Sequence, residues 1–527
     1  MVAVWFAALL LLLLSAGIAH SGGSNFVTGA LPPPPSGSTR TFNSAAEPAI
    51  RSDPSGSFYI ASENGLGAGT DAWKSVDGGS TYFSLVQPDA LSSGTSGVAP
   101  GGGDVDLAVA SLPNGQFPTE YNVYVSSLTL GSVTVSASQD GGNTWQINEL
   151  GAIVPVDDRE WIAAYGSDTY YVSYHSIATG LQIIVNEGTL VDGVPTTVAT
   201  YSAINPLQLD IFLGTTANNQ IGNIAVDQNA GVVYQVFAGC APGLQILACT
   251  SLNTIYVAVG VPTLSLFGQQ LLSFTDYVVY QANVGANLAN NFPNVAVDSA
   301  GNVYAAWSDG QNVYLSYSTN QGTSWSAPQQ VNSSPAVTAI YPWIAAGSAG
   351  EVDVVYYGTP AQANFQTCQS TGGPYDCQSE PWYVFFAQNL STLAGGQWAE
   401  QQVTDVVHYG GVCQGGISCG SNGNVNRDLY DDLGVAVSPT SGLASVAYSN
   451  DQYGDVQGTA NAGLCSFSQS NTAACDHTDF ATQVSGSGVL SGFGMPLFPI
   501  QLGVMVVPRN QLSQQYSPPQ VSPRYQW

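Results

Sequence analysis

The stretch Asn294-Val-Ala-Val-Asp-Ser-Ala-Gly-Asn-Val-Tyr-Ala-Ala-Trp307 decides the fold. Apolar and β-branched residues alternate up to Asp298, a Gly-Asn turn follows, and an aromatic-rich alternation resumes. Phe292 to Asp298 therefore reads as one strand and Asn302 to Trp307 as a second, with Asn312 to Ser318 a third and Ser326 to Val331 a fourth. Gly, Asn, Asp and Ser fill the turns between them. The phrase occurs again at Glu47-Pro-Ala-Ile-Arg-Ser-Asp-Pro-Ser-Gly-Ser-Phe-Tyr-Ile-Ala-Ser62, and weaker copies begin near Asp106, Trp161, Asn223, Trp343 and Gly434. Their aligned apolar anchors are Ile50, Leu107, Ile162, Ile224, Val295, Ile344 and Val435, spaced by 49 to 91 residues. Four short strands per repeat is the pattern of a β-propeller blade. A single blade cannot bury both of its faces, so neighbours must cover them and the ring must close on itself. The expected fold is all-β, a propeller of four-stranded antiparallel blades. Seven anchors favour seven blades, and six is the alternative if one weak copy is false.

Composition narrows the function classes. The 527 residues carry 35 Asp and Glu against seven Lys and Arg, a formal charge of −28, yet charged residues are only 8% of the chain. No basic patch can form to neutralise phosphates, which excludes a nucleic-acid partner. The 44% of hydrophobic residues is enough to build a large core.

The segments outside the repeats divide the chain. Residues 1–19 are an apolar run centred on Leu9 to Leu14, with small residues at Gly17-Ile18-Ala19, and read as a signal peptide. Secretion or a cell-surface location follows, with no membrane span in the mature chain unless this segment stays as an uncleaved anchor. Residues 20–39, with four consecutive prolines, read as a linker, 40–510 as the propeller, and 511–527 as a polar tail. Eight cysteines fall in four near-neighbour pairs, Cys240-Cys249, Cys368-Cys377, Cys413-Cys419 and Cys465-Cys475. Four local disulfides fit an oxidising exterior, whereas CxxC zinc spacing is absent. Asn332 and Asn389 stand in N-x-Ser sequences that read as glycosylation acceptors.

A second phrase recurs between third and fourth strands. Its copies are Ser75-Val-Asp77-Gly-Gly79-Ser-Thr81-Tyr82, Ser138-Gln-Asp140-Gly-Gly142-Asn-Thr144-Trp145 and Ser318-Thr-Asn320-Gln-Gly322-Thr-Ser324-Trp325. The pattern resembles the Asp-box, or bacterial neuraminidase repeat, of sialidase-type β-propellers, and the resemblance spans about residues 47 to 485. It implies structural roles: the Asp bonds backbone N–H groups of its own turn, the Gly takes positive φ, and the aromatic packs between sheets. It also implies a secreted protein that acts on or recognises glycans, an exo-α-sialidase-type glycoside hydrolase if catalytically competent.

Sialidases of this kind grip a substrate carboxylate with three Arg and use a Tyr nucleophile paired with Glu, plus an Asp acid or base. By that resemblance the candidates are Arg51, Arg159 and Arg427 for the grip and Tyr430 for the nucleophile. Glu47 or Glu160 would partner Tyr430, and Asp431 or Asp432 would donate the proton. The competing reading pairs each Arg with nearby acids, as in Asp157-Asp158-Arg159-Glu160. Acids also crowd the starts of the first strands, at Asp104, Asp106 and Asp428 among others, which would repel an anionic sugar and attract cations. No cofactor is required by this scheme, and Ca²⁺ is an optional ligand of the acid clusters. The alternatives to a sialidase are a non-catalytic extracellular propeller that binds glycan or protein, and a structural component of a cell envelope.

Overall fold

The computed structural model describes residues 25–33, 45–89, 101–129, 131–152, 157–176, 178, 182–204, 219–242, 251–264, 270–362, 380–414, 429–452 and 477–490. Among these residues seven antiparallel sheets form, six of four strands and one of five. In each of the first six blades the strands run outward in chain order, starting from Ala46–Ser52, Val105–Pro113, Asp157–Tyr165, Asn219–Val226, Asn290–Val297 and Thr338–Ala346. The sixth blade carries the fifth strand, His408–Tyr409, which pairs beside Pro381–Asn389. All seven anchors lie in innermost strands, that of the seventh blade being Gly434–Val437.

The wheel is closed by a strand that the sequence placed in a linker. Asn25–Ala30 pairs antiparallel with His477–Ser485 and forms the outer edge of the seventh blade. The propeller therefore begins before residue 40 and ties its two ends together in one sheet. Phe26 packs against Phe386 in a tilted arrangement, ring centroids 5.0 Å apart, so the strand also has a packing reason to stay.

Burial between blades follows the repeat. Ile50, Phe58 and Trp73 of the first blade pack with Ala447 and Phe480 of the seventh. Tyr124 and Val135 of the second pack with Ile162 and Tyr170 of the third. Tyr304 and Leu315 of the fifth pack with Ile344 and Tyr356 of the sixth. Each fully buried side chain of this size removes roughly 1.5–3 kcal/mol of apolar surface energy from water.

The three recurrent turns adopt one hydrogen-bond pattern. Ser75 Oγ accepts from the Gly79 N–H at 2.9 Å and donates to Asp77 Oδ1 at 2.8 Å. Asp77 in turn accepts from the Thr81 N–H at 2.9 Å and the Thr81 hydroxyl at 2.6 Å. Ser138, Asp140, Gly142 and Thr144 repeat each bond. In the third copy Ser318 Oγ accepts from the Gly322 N–H, and Asn320 Nδ2 donates to Ser324 Oγ, replacing the hydroxyl-to-carboxylate bond. Burial pushes the Asp77 and Asp140 carboxyls up, but the bonds from Thr81 and Thr144 outweigh it and hold both below the usual range. Each turn also rests on the preceding blade. The Gly79 carbonyl accepts from Thr482, Tyr82 packs on Phe480 at 4.8 Å, and Trp145 and Trp325 lie partly buried against the first and fourth blades.

Cys240 and Cys413 are disulfide-bonded. Their expected partners Cys249 and Cys419 lie outside the described residues, as do Cys368, Cys377, Cys465 and Cys475, the signal segment and the tail 511–527. Asn332 and Asn389 are buried, and their amides donate to the Ala336 and Gly396 carbonyls. Neither side chain is presented to a glycosylating enzyme in the folded state, which corrects the expectation from their sequence context. No helix among the described residues is long and apolar enough to cross a membrane.

Candidate functional site

The innermost strands begin with irregular backbone. Register shifts break the pairing between Ala46 and Ala49, Asp158 and Glu160, Ile221 and Ile224, Asn290 and Asn294, and Ile340 and Trp343. Such bulges re-aim side chains. Glu47, Arg159 and Tyr341 stand in them in the left-handed region, at φ of 51°, 50° and 56°, and Tyr430 precedes the seventh inner strand at 54°. Left-handed conformations cost non-glycine residues about 1–3 kcal/mol, and proteins keep them mostly at functional positions.

These residues share a phase. The residue three before each anchor is Glu47, Asp104, Arg159, Ile221, Phe292, Tyr341 or Asp432 in blades one to seven. Five of the seven meet at one guanidinium. Arg159 Nη1 lies 2.8 Å from Glu47 Oε2 and 3.1 Å from Asp104 Oδ1, and Nη2 pairs with Asp432 Oδ2. Its plane sits 4.2 Å from the Phe292 ring centroid and 4.7 Å from that of Trp161. Arg159 is 5% exposed. Burial works against its charge, but Asp432, Asp104 and Glu47 outweigh burial and hold the guanidinium protonated.

Arg51 is placed differently. It points into the central channel, a cavity of ≈ 390 Å³ lined by residues of all seven inner strands, among them Ala108, Ile162, Ile224, Val295, Ile344 and Val435. Its Nη2 bonds Asp106 Oδ1 at 2.8 Å, its Nη1 donates to the Ile50 carbonyl, and its guanidinium lies over Trp343 at 4.9 Å. Burial raises the Asp106 carboxyl despite the Arg51 charge.

The expected substrate grip is therefore not formed by these two arginines. Arg159 is enclosed by carboxylates from three blades and Arg51 is paired with Asp106, because the desolvated guanidinium groups need nearby negative charge. Arg427 lies outside the described residues. The Tyr–Glu pair is likewise absent at Glu160, whose two carboxyl oxygens are buried with no hydrogen-bond partner. Glu47 is engaged by Arg159, and its N–H by Ser449 Oγ.

The outer rim of the mouth remains accessible. Asp158 is exposed and Tyr430 half-buried, while Asp431 is buried and accepts from the Asn291 amide at 3.0 Å. Crowding by the surrounding protein, with the Asp104 charge, pushes the Asp158 carboxyl up to about 6. Burial raises Asp432 to about 7 against the pull of Arg159. Asp158 and Tyr341 were not among the candidates read from the sequence. The signal for Tyr341 was its phase relative to Ile344, whereas nothing local marks Asp158 as the exposed acid of its cluster.

No family model matches the chain, and no curated protein matches it. Among solved structures it is similar to the GH93 α-L-arabinofuranosidase of Fusarium graminearum, at 16% identity and a TM-score of 0.42 over 64% of this chain and 94% of that one. It is similar to a PL25 ulvan lyase at 9% identity and a TM-score of 0.42, over 81% and 92%. The lectin of Aleuria aurantia matches at 14% identity and a TM-score of 0.38, over 71% and 98%.

Proposed function

We propose that the protein recognises glycans at the mouth of the wheel, and that the sugars it takes there are uncharged. The observation that carries this reading is the enclosure of Arg159 by Glu47, Asp104 and Asp432. A neutralised guanidinium leaves a mouth whose outward polar groups are oxygen acceptors, headed by Asp158. Carboxylates accept hydrogen bonds from sugar hydroxyls, and the half-buried Tyr430 beside them offers an aromatic face and a hydroxyl. The same field opposes a sialic acid carboxylate. Binding rather than hydrolysis is proposed, because Arg51 and Arg159 are each held by acids and the two expected partners of Tyr430 are taken out of reach, Glu47 by Arg159 and Glu160 by burial.

The test is an array of immobilised glycans in which each sialylated member has its desialylated counterpart. The full chain is expected to bind members of the desialylated set and to bind their sialylated partners less. Preference for the sialylated members, release of sialic acid, or no binding to any glycan would overturn the reading.

A further inference from the structure

We propose that the central channel is a second ligand site, entered from the face opposite the mouth, and that it takes a small monocarboxylate with a slender apolar chain. In blades two to seven the residue after the anchor is alanine, from Ala108 to Ala436, and in the first blade it is Arg51. All seven line the ≈ 390 Å³ cavity, and Arg51 is the only charged residue that does. Six methyl groups leave the space open and one guanidinium enters it. The volume is that of a small-molecule pocket. Five anchors, Ile162, Ile224, Val295, Ile344 and Val435, supply apolar wall.

The lining fixes which end is open. None of the seven residues that stand three before the anchors lines the cavity, whereas Gln228, Gly347 and Pro439 do. Those three lie in turns between first and second strands, on the face away from the mouth. At the mouth end the Trp161 ring meets Phe292 at 5.5 Å and Trp343 at 5.4 Å. The space these rings share with Tyr341, Asp431 and Asp432 is only ≈ 10 Å³.

Arg51 is built to receive an acceptor. A guanidinium has five N–H donors. Arg51 spends one on Asp106 and one on the Ile50 carbonyl, and its side chain is 23% exposed. Three donors remain for a ligand. The group is fixed beforehand by the first, second and sixth blades, through Ile50, Asp106 and the Trp343 ring. Arg159 faces three carboxylates, but Arg51 faces one, and that one also accepts from the Leu107 and Ile162 N–H groups. A carboxylate matches the fork geometry that is left. The Ser52 hydroxyl and the Gln228 amide are tied to the Val437 and Ala164 carbonyls, so the rest of a ligand meets mainly alkyl groups.

This site and the sugar site at the mouth are separate, and probes without sugar let either fail alone. The experiment is calorimetric titration of sodium hexanoate, and of uncharged hexanamide, into the full chain and into Arg51→Gln and Ala225→Leu. One hexanoate per chain is expected, with hexanamide bound about tenfold or more weakly by the parent. Arg51→Gln should lose about tenfold or more in hexanoate affinity, and Ala225→Leu, which fills the channel without touching Arg51, should lose as much. No hexanoate binding to the parent, equal affinity for the two probes, or undiminished binding by either folded variant would overturn the proposal. Should Arg51→Gln fail to fold because Asp106 loses its counter-charge, the comparison of probes on the parent still decides whether the charge is read.

Discussion

Arg159 and Glu47 occupy the same position in two different blades, three residues before the anchors Ile162 and Ile50, and meet through Nη1 and Oε2 at 2.8 Å. Both take left-handed backbone to do so. The pair joins the third blade to the first, and Asp104 and Asp432 join the second and seventh to the same guanidinium. Arg159 thus ties four blades at the mouth. Replacing it with Met leaves three carboxyl groups facing one another without a counter-charge. Arg159→Met is expected to cost about 3–5 kcal/mol of unfolding free energy at pH 7 in denaturant titrations. Near pH 4 the loss should shrink, because protonation relieves the acids. An equal loss at both pH values would show that packing, not charge, is what Arg159 supplies.

The recurrent turns depend on glycine where the backbone is left-handed. Gly142 has φ of +94°, and a Cβ there would stand 2.5 Å from Leu85 Cδ1 of the first blade. Gly142→Ala combines backbone strain with a clash and should destabilise by about 1–3 kcal/mol. By contrast, Gly115 has no positive φ and nothing near its Cβ position, so Gly115→Ala serves as the neutral comparison by thermal melting.

The closing strand has a separate consequence. A chain that starts at residue 34 lacks Asn25–Ala30 and leaves the whole outer edge of His477–Ser485 unpaired. Bare edges invite pairing with other chains. Such a chain is expected to melt lower than the full chain and to elute as higher oligomers in size-exclusion chromatography. A monomer with unchanged melting temperature would show that the strand does not close the wheel.

Asp353 makes stability depend on pH. It is fully buried in the sixth blade, its Oδ1 accepts from the Gln388 amide, and its Oδ2 has no partner. Burial pushes its carboxyl up to about 8. A carboxyl raised on folding keeps its proton in the native state while the unfolded chain loses it above the usual value near 4. Stability from this group therefore falls as pH rises from about 4 to about 8, by about 1.4 kcal/mol per pH unit. Asp353→Asn cannot ionise, so its stability relative to the parent should rise over that window. A constant difference between pH 4 and pH 8 would contradict the assignment.

Much of the wheel was written in the repeats. Every anchor from Ile50 to Val435 lies on an innermost strand, and the turns at Asp77, Asp140 and Asn320 fall between third and fourth strands, because alternation and turn residues are local signals. The strand Asn25–Ala30 was hidden because its partner lies more than 400 residues away and it is a short segment next to a proline run that reads as a linker. The mouth was legible only in part. The acids beside Arg159 in the chain are not the ones that bond it. Its partners come from other blades, and only the shared offset of three residues from each anchor connects them in the sequence.

The most direct test of glycan recognition at the mouth is one calorimetric comparison. The strongest uncharged glycan from the array is titrated into the parent chain and into a chain carrying Asp158→Asn and Tyr430→Ala. The account predicts saturable binding to the parent and a loss of about tenfold or more in the double variant, with the same melting temperature. Undiminished binding by the double variant would place the sugar elsewhere on the wheel and contradict the account.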